Sequence, residues 1–406
     1  MVFLHQKPNL TVEERGLLWV LRDITGLEFS GASGQQVGNS VDWEALLHLM
    51  RMHSIVPMGY CMAKDSKGWQ YLPETFRASL RRAYLLNTAR NLKLFHELSK
   101  VLHVLNNDKV PTLLLKGAHL AGGVYENAGC RTMSDIDILF KKQDLSRAQR
   151  CLSKAGYYPV SSRISLDIHW DLSLYIEKFN IDLDATWERA QSVHIGSSQA
   201  LGLAPEDLIL HLCLHCSFHH ESLRFAGLRT LCDIRAVINR HAEQLDWTCL
   251  AQRARAWRIG NAVFLLLLLA RDLIKVEIPD GFLCGLKPAD FAEQVYERAV
   301  GQVIRGPMEA SYLSPYFWQL WAGIPLRKKL KGLLRLVLPP PAFVSQKYPA
   351  RHKTLKNYIY YLVRTRDNVR RYCCTAWKIL RRDEATFKTL QRNKRSLELT
   401  EWLLTQ

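Results

Sequence analysis

Ser134-Asp135-Ile136-Asp137-Ile138-Leu139-Phe140 is the stretch on which the fold turns. It is an apolar run broken by two acids two residues apart, and on a strand that spacing points both carboxylates to one face. Their Cα atoms then lie about 6.5–7 Å apart, from a rise of roughly 3.3 Å per residue. The flanking Ile136, Ile138, Leu139 and Phe140 predict a half-buried strand with one polar face toward a cleft. Two acids held together on such a face repel each other. A divalent cation relieves the repulsion, and carboxylate oxygens suit Mg²⁺, which in turn suits nucleotide phosphates. The pattern points to metal-assisted phosphoryl chemistry. The plain alternative is a pair of acids on a solvent-facing strand edge.

Upstream, Asn106-Asn107-Asp108 precedes the short apolar run Val110–Leu115, which predicts a strand. Lys116-Gly117 follows and opens a short helix, Gly117–Tyr125. A glycine there lets backbone N–H groups approach a phosphate, and a lysine reaches an anionic oxygen. Taken alone, the pair is an ordinary turn; beside Asp135 and Asp137 it gains meaning. Downstream, Glu126–Met133 is a loop, Asp144–Ala155 a helix ending at Gly156, and Ile164–Trp170 a further strand. Ile181–Leu183 is a candidate fourth strand. A metal cradle needs a third carboxylate. Asp167, between apolar neighbours in Leu166-Asp167-Ile168-His169-Trp170, is favoured; Asp182 and Asp184 have the same form and are its rivals.

Helical patterns flank this unit. Asp42-Trp43-Glu44 opens an apolar-periodic stretch through Met52, and Phe76–Leu105 carries Leu94, Leu98, Val101 and Val104 on one stripe. From Pro205 helices return over Pro205–Phe218, Leu228–Arg240, Trp247–Trp257 and Asn261–Lys275, the first with Pro and acids at its start. The fold class is α+β, a small mixed-sheet core flanked by helical regions on both sides. The expected divisions are an N-terminal helical region at 1–105, the α/β core at 106–200, a helical domain at 201–300 and a basic C-terminal region at 301–406.

With 48% apolar and 23% charged residues the composition is that of an ordinary globular chain. The longest apolar run, Ala262–Ala270, is short of the roughly 18 residues a membrane span needs and predicts a buried helix. The first eight residues lack a basic-then-apolar secretory pattern, so a cytoplasmic protein is expected. The 10 cysteines include Cys213-x-x-Cys216, but inside a helical pattern and with no second pair at zinc spacing, so all are expected as reduced thiols.

The net charge of +17 is concentrated. Residues 326–395 hold 20 Lys/Arg against 3 Asp/Glu, leaving 35 bases and 35 acids elsewhere. The catalytic region therefore gives no charge-based reason to expect DNA. Within the tail, Leu355, Tyr358, Ile359, Leu362, Val369, Cys373, Ala376, Trp377 and Leu380 fall near one helical stripe, with arginines and lysines around the remainder. Such a helix can lie on an anionic membrane surface, lock onto an acidic partner, or pack on the main body with a solvated basic face. His211, His215 and His219 recur every four residues, beside His220. That face is open to three readings: a zinc pair, a hydrogen-bonded polar face, or the acceptor side of the cleft. Arg229 and Asp233, one turn apart, are candidates for the same cleft.

Taken together, Lys116-Gly117, Arg131-x-x-Ser134-Asp135-Ile136-Asp137, Asp144…Ala155-Gly156-Tyr157, Asp167-Ile168-His169-Trp170 and Pro205-Glu206-Asp207…His211…His215…Asp233 resemble the uncharacterised nucleotidyltransferase family of the DNA polymerase β-like superfold. The resemblance covers most of residues 40–280. It implies a polymerase β-like core with a glycine turn at Gly117, an acid-x-acid motif at Asp135 and Asp137, and a third acid at Asp167. One departure stands out: Ala118-His119 follows Gly117, where the superfold usually has glycine or serine. Phosphate contacts then fall to Lys116, Arg131 or Ser134.

The resulting expectation is a nucleotidyltransferase that moves a nucleoside monophosphate from an NTP to a hydroxyl or phosphate acceptor and releases pyrophosphate. Two Mg²⁺ ions, replaceable by Mn²⁺, would be held by Asp135, Asp137 and Asp167. His169, His215, His219, Arg229 and Asp233 would meet the acceptor, a small molecule, glycan precursor or peptide. The resemblance also points toward bacterial natural-product or polysaccharide pathways. The rival expectation is a non-catalytic nucleotide- or partner-binding protein on the same scaffold, tethered to membrane or RNA by its tail.

Overall fold

The computed structural model describes residues 10–22, 41–157, 164–172, 179–218, 222–306, 366, 381 and 384–405. At its centre lies a mixed five-stranded sheet in the order β3-β2-β1-β5-β4. The strands are β1 (Leu113–Leu114), β2 (Ile136–Leu139), β3 (Leu166–His169), β4 (Gln191–Ile195) and β5 (Ser198–Gly202). β1 runs antiparallel to β2 and parallel to β5, β2 and β3 are parallel, and β4 and β5 form an antiparallel hairpin. The mixed α+β class expected from the sequence is the one observed.

Among the described residues four α-helices precede the sheet: α1 (Val12–Leu21), α2 (Trp43–Met52), α3 (Val56–Ala63) and α4 (Glu74–Asn107). The first two have sequence-encoded starts. Thr11 and Glu14 form a reciprocal capping box, and Asp42 accepts from the amides of Glu44 and Ala45. The 34-residue α4 lays Leu98, Val101, Leu102 and Leu105 against Leu114, Ile136, Ile138 and Phe140 of the sheet. Ala148, Cys151 and Leu152 of α6 (Leu145–Lys154) close the same core. Because strand side chains alternate, burying Ile136 and Ile138 on this side sends Asp137 to the other face.

Beyond Lys116 the expected helix is divided into α5 (Lys116–His119) and a wide π-type turn, Leu120–Val124. After β3 come α7 (Leu183–Glu188), the β4–β5 hairpin and then α8 (Pro205–Phe218), α9 (Ser222–Arg240), α10 (Trp247–Ala256), α11 (Gly260–Ile274), α12 (Asp280–Leu286) and α13 (Glu293–Arg305). The apolar run Ala262–Ala270 sits in α11 with every residue fully buried. Asp207 of α8 is likewise buried, held by Arg189 and Arg253.

Two expectations are corrected, and one hairpin is added to them. Ile181–Leu183 is not a strand: Asp182 accepts from the Ala185 amide and caps α7. The β4–β5 hairpin was not anticipated; its two-residue turn places Gly196 at a φ of 59°, where glycine carries no steric cost. Cys61 of α3 and Cys130, in the loop before β2, are joined as a disulfide with Cα atoms 5.9 Å apart, so the cysteines are not all reduced.

The chain divides into two compact units, Met1–Met308 with Trp402–Gln406, and Glu309–Glu401. A last helix, α14, runs Glu384–Leu404. In the first unit Asn261 donates to the carbonyls of Trp402 and Thr405. The amphipathic stretch expected in the tail lies outside the described residues, Arg366 and Arg381 apart. Among the described residues no helix is long and apolar enough to cross a membrane.

Candidate active site

The parallel register of β2 and β3 places Asp137 opposite Asp167 and Leu139 opposite His169. Asp167 and His169 are two residues apart on one strand, so they share the face that Asp137 takes on the next. The His169 Nε2–H donates to Asp137 Oδ1 at 2.9 Å and lies 3.3 Å from Asp167 Oδ2. From the β1–α5 turn, Lys116 Nζ reaches the same Asp137 oxygen at 2.6 Å. Asp137 is buried, whereas the Asp167 side chain is 57% exposed at the rim.

Charge follows from this geometry. Burial alone would raise the Asp137 carboxyl, but His169 and Lys116 outweigh it and hold the group well below the usual carboxylate range. Burial opposes the charged form of His169, yet its hydrogen bonds to Asp137 and Asp167 raise it to about 9. Asp167 is lowered, first by its hydrogen bond to His169. The cluster is therefore two carboxylates facing two cations at neutral pH.

The same atoms suit a metal ion. Asp137, Asp167 and His169 each offer a ligand atom, and all three lie within 4.8 Å of one another. Carboxylates favour Mg²⁺ and Mn²⁺, while an imidazole shifts the preference toward Mn²⁺ and later transition metals. The donor set fits a divalent cation.

Lys116 holds its position at a φ of 43°, in the left-handed region that costs a side-chain-bearing residue about 1–3 kcal/mol. At Gly117 the packing is tight: a Cβ there would stand 3.1 Å from Met133 Cγ, in the loop that carries Ser134 and Asp135, and the Met133 side chain would have to give by a few tenths of an ångström. Asp135 precedes β2 and lies outside the group of three; it is half-exposed and accepts from Ser134 Oγ at 2.9 Å. The two rivals for the third acid also lie outside it, Asp182 as a helix cap and Asp184 exposed in the first turn of α7.

The structure also joins Arg131 to Asp233, from regions 102 residues apart. Arg131 Nε donates to Asp233 at 2.7 and 3.0 Å, both residues are buried, and Tyr125 OH donates to the same carboxylate at 2.9 Å. Another Arg131 nitrogen is hydrogen-bonded to the Thr132 carbonyl. These partners anchor the loop before β2 to α9. Asn87 and Asn91, one turn apart on α4, clamp it from the other side. Asn87 donates to the carbonyls of Gly129 and Arg131, and Asn91 to those of Ala128 and Arg131. Asparagines four residues apart on a helix are the sequence signal that corresponds to this clamp.

On the histidine face, His211 is buried and neither ring nitrogen has a hydrogen-bond partner. Burial, then the charges of Lys116 and His169, lower it to about 3, so it stands neutral beside the cluster. His215 is half-buried, its ring 6.3 Å from that of His211. His219 lies outside the described residues.

A family model described as "Uncharacterised nucleotidyltransferase" matches residues 39–275. The chain belongs to that family. The match spans the β1–β3 unit, the acidic cluster and helices α2 to α11. No curated protein and no solved structure matches the chain.

Proposed function

We propose that this nucleotidyltransferase-family chain is a Mg²⁺-dependent enzyme that transfers a nucleoside monophosphate from an NTP to a hydroxyl or phosphate of a small molecule, glycan precursor or peptide. The observation that carries the reading is the convergence of Asp137, Asp167 and His169 beside Lys116. A divalent cation held by these side chains supplies Lewis-acid neutralisation of phosphate charge. Asp137, ionised and buried, is the fixed negative anchor of the site. Lys116 is within reach of the same oxygen and offers a mobile positive charge to the leaving phosphates. Asp167, ionised at the exposed rim, is placed to orient an acceptor hydroxyl and take its proton. In the reaction the acceptor oxygen bonds to the α-phosphorus, the α–β anhydride bond breaks, and pyrophosphate leaves. Asp135 supplies further negative charge at the edge nearest Ser134. Catalysis is assigned to the first unit; the tail's contact with an anionic membrane surface or an acidic partner is a separate proposal resting on its charge.

The test is incubation of the full chain with Mg²⁺ and each labelled NTP in turn, with hydroxyl- and phosphate-bearing acceptors, reading pyrophosphate release. Release with at least one pair, lost in Asp167→Asn, supports the reading. Mn²⁺ binding at the cluster without turnover for any pair favours the non-catalytic binding protein. The structure gives that rival one point, because Lys116 and His169 already neutralise Asp137.

A further inference from the structure

Beside the acidic strand a cavity of about 390 Å³ opens between α2, the start of α3, α4, the loop before β2 and α9. Among the described residues three arginines line it, Arg51, Arg90 and Arg229, from three different helices, and no acid does. None of the three guanidiniums is paired with a carboxylate among the described residues, and Arg229 Nε is buried without a hydrogen-bond partner. Elsewhere in the first unit the buried Arg131 is committed to Asp233, and the partly buried Arg189 and Arg253 to Asp207. Three like charges around one cavity repel one another unless an anion joins them. Arginine forks match phosphate oxygens two at a time.

Two further features favour an anion. The N-terminus of α3, with Val56 and Pro57 on the cavity wall, has no side-chain cap; Pro57 carries no N–H, so what it offers the cavity is the positive end of the helix dipole. Ser134 lines the cavity while donating to Asp135, so the cavity and the acid-x-acid motif share an edge. Burial, and next the charge of Arg131, pull Arg229 down to about 10, which leaves it charged at neutral pH.

We propose that this cavity is an oxyanion site that takes a phosphoryl group, gripped by Arg51, Arg90 and Arg229 and open toward Ser134 and Asp135. The inference rests on the nucleotidyl-transfer reading for its two sources, the triphosphate of the NTP or a phosphate on the acceptor. It assigns phosphate recognition to two N-terminal helices, α2 and α4, and to α9, rather than to the turn at Gly117 alone.

The probe is inorganic tripolyphosphate, titrated calorimetrically into the full metal-free chain at neutral pH. Saturable binding is expected, weakened about tenfold by Arg51→Gln or by Arg90→Gln. Both residues are exposed, so neither change should disturb folding. Arg81→Gln and Arg82→Gln, on α4 outside the cavity, are charge-matched controls and should leave binding within twofold. Competition then separates the sources. An NTP that displaces tripolyphosphate, with a nucleoside that does not, identifies the triphosphate. An NTP that binds without displacing it identifies the acceptor's phosphate. Absence of saturable binding overturns the proposal, as does binding that Arg51→Gln and Arg90→Gln leave unchanged or that the controls weaken equally. Arginine-dependent binding in a chain that releases no pyrophosphate with any NTP would defeat only the transfer reading.

Discussion

Asp137 and Asp167 stand directly opposite each other on adjacent parallel strands, one buried under two cations and the other open at the rim. The same carboxylate chemistry thus meets two environments, and substitution should separate them. Asp137→Asn strands Lys116 and His169 beside a neutral amide. Breaking a buried pair in this way costs about 3 kcal/mol. Asp167→Asn removes an exposed partner and should cost less than about 1 kcal/mol. Both should lower turnover by a factor on the order of 10³, as expected when a fixed charge leaves a reaction centre. Urea unfolding and pyrophosphate release measure the two effects. Full turnover in Asp167→Asn would remove Asp167 from the chemistry.

His169 makes the site sensitive to pH. It is raised to about 9 from an ordinary 6.5, so its contribution to stability is whole below about pH 6.5 and is lost as pH rises through 9. Asp137 is shifted the opposite way, and its share is kept above the ordinary carboxylate range and lost on acidification. A cation entering the cluster must also displace the His169 proton. Mn²⁺ affinity should therefore climb by up to about tenfold per pH unit between pH 7 and 9, with one proton released per ion. Calorimetry in buffers of different ionisation enthalpy reads both quantities. Affinity that stays flat over this range would show that His169 is already neutral.

The acidic strand was legible because its signal is local. Alternation in Ile136-Asp137-Ile138 and in Leu166-Asp167-Ile168-His169 fixes which side chains share a face, and the register then brings Asp137 to Asp167. The reach of Lys116 to Asp137 was not legible, since it depends on a left-handed backbone at Lys116. Ile181-Asp182-Leu183-Asp184 misled for a physical reason: acids at alternate positions suit a strand face and a helix start equally, and here Asp182 caps α7. The β4–β5 hairpin hid behind polar residues at Gln191, Ser192 and His194, although Gly196-Ser197 was a turn signal between them. Long-range pairs such as Arg131 with Asp233 leave no mark in spacing at all.

Asp233 looked like an acceptor contact from its place on α9, yet its carboxylate is filled by Arg131 and Tyr125. Asp233→Asn should accordingly destabilise the chain by about 3 kcal/mol, because it leaves a buried guanidinium unpaired. Arg131→Met combined with Asp233→Leu should recover much of that loss, an apolar pair being a fair substitute for a buried ion pair. Chemical denaturation of the two singles and the double gives the coupling. A stable Asp233→Asn variant with a raised KM would instead restore the acceptor role.

The Cys61–Cys130 bond ties α3 to the loop before β2 across 69 residues. In the chain-entropy account a loop of that length contributes about 4 kcal/mol. Reduction, or Cys130→Ser, should lower the thermal midpoint by an amount consistent with a few kcal/mol. Unchanged melting with and without reductant would mean the bond does not form in solution.

Asn87 and Asn91 carry the last prediction, because they act on the site without touching it. Each side-chain amide satisfies two carbonyls in the 128–131 segment, and that segment leads straight into Ser134 and Asp135. Asn87→Ala leaves the Gly129 carbonyl and one bond of Arg131 unmet, at a cost of about 1–3 kcal/mol. The consequence should be local: faster hydrogen exchange at residues 128–134, unchanged exchange in α11, and a raised KM for NTP with kcat nearly kept. Asn87→Asp retains the shape but loses the donor, so it should fail in the same way. Uniformly faster exchange across both regions would mean that the two asparagines support the whole core, and that the loop carrying the acidic motif is held by Arg131 and Asp233 alone.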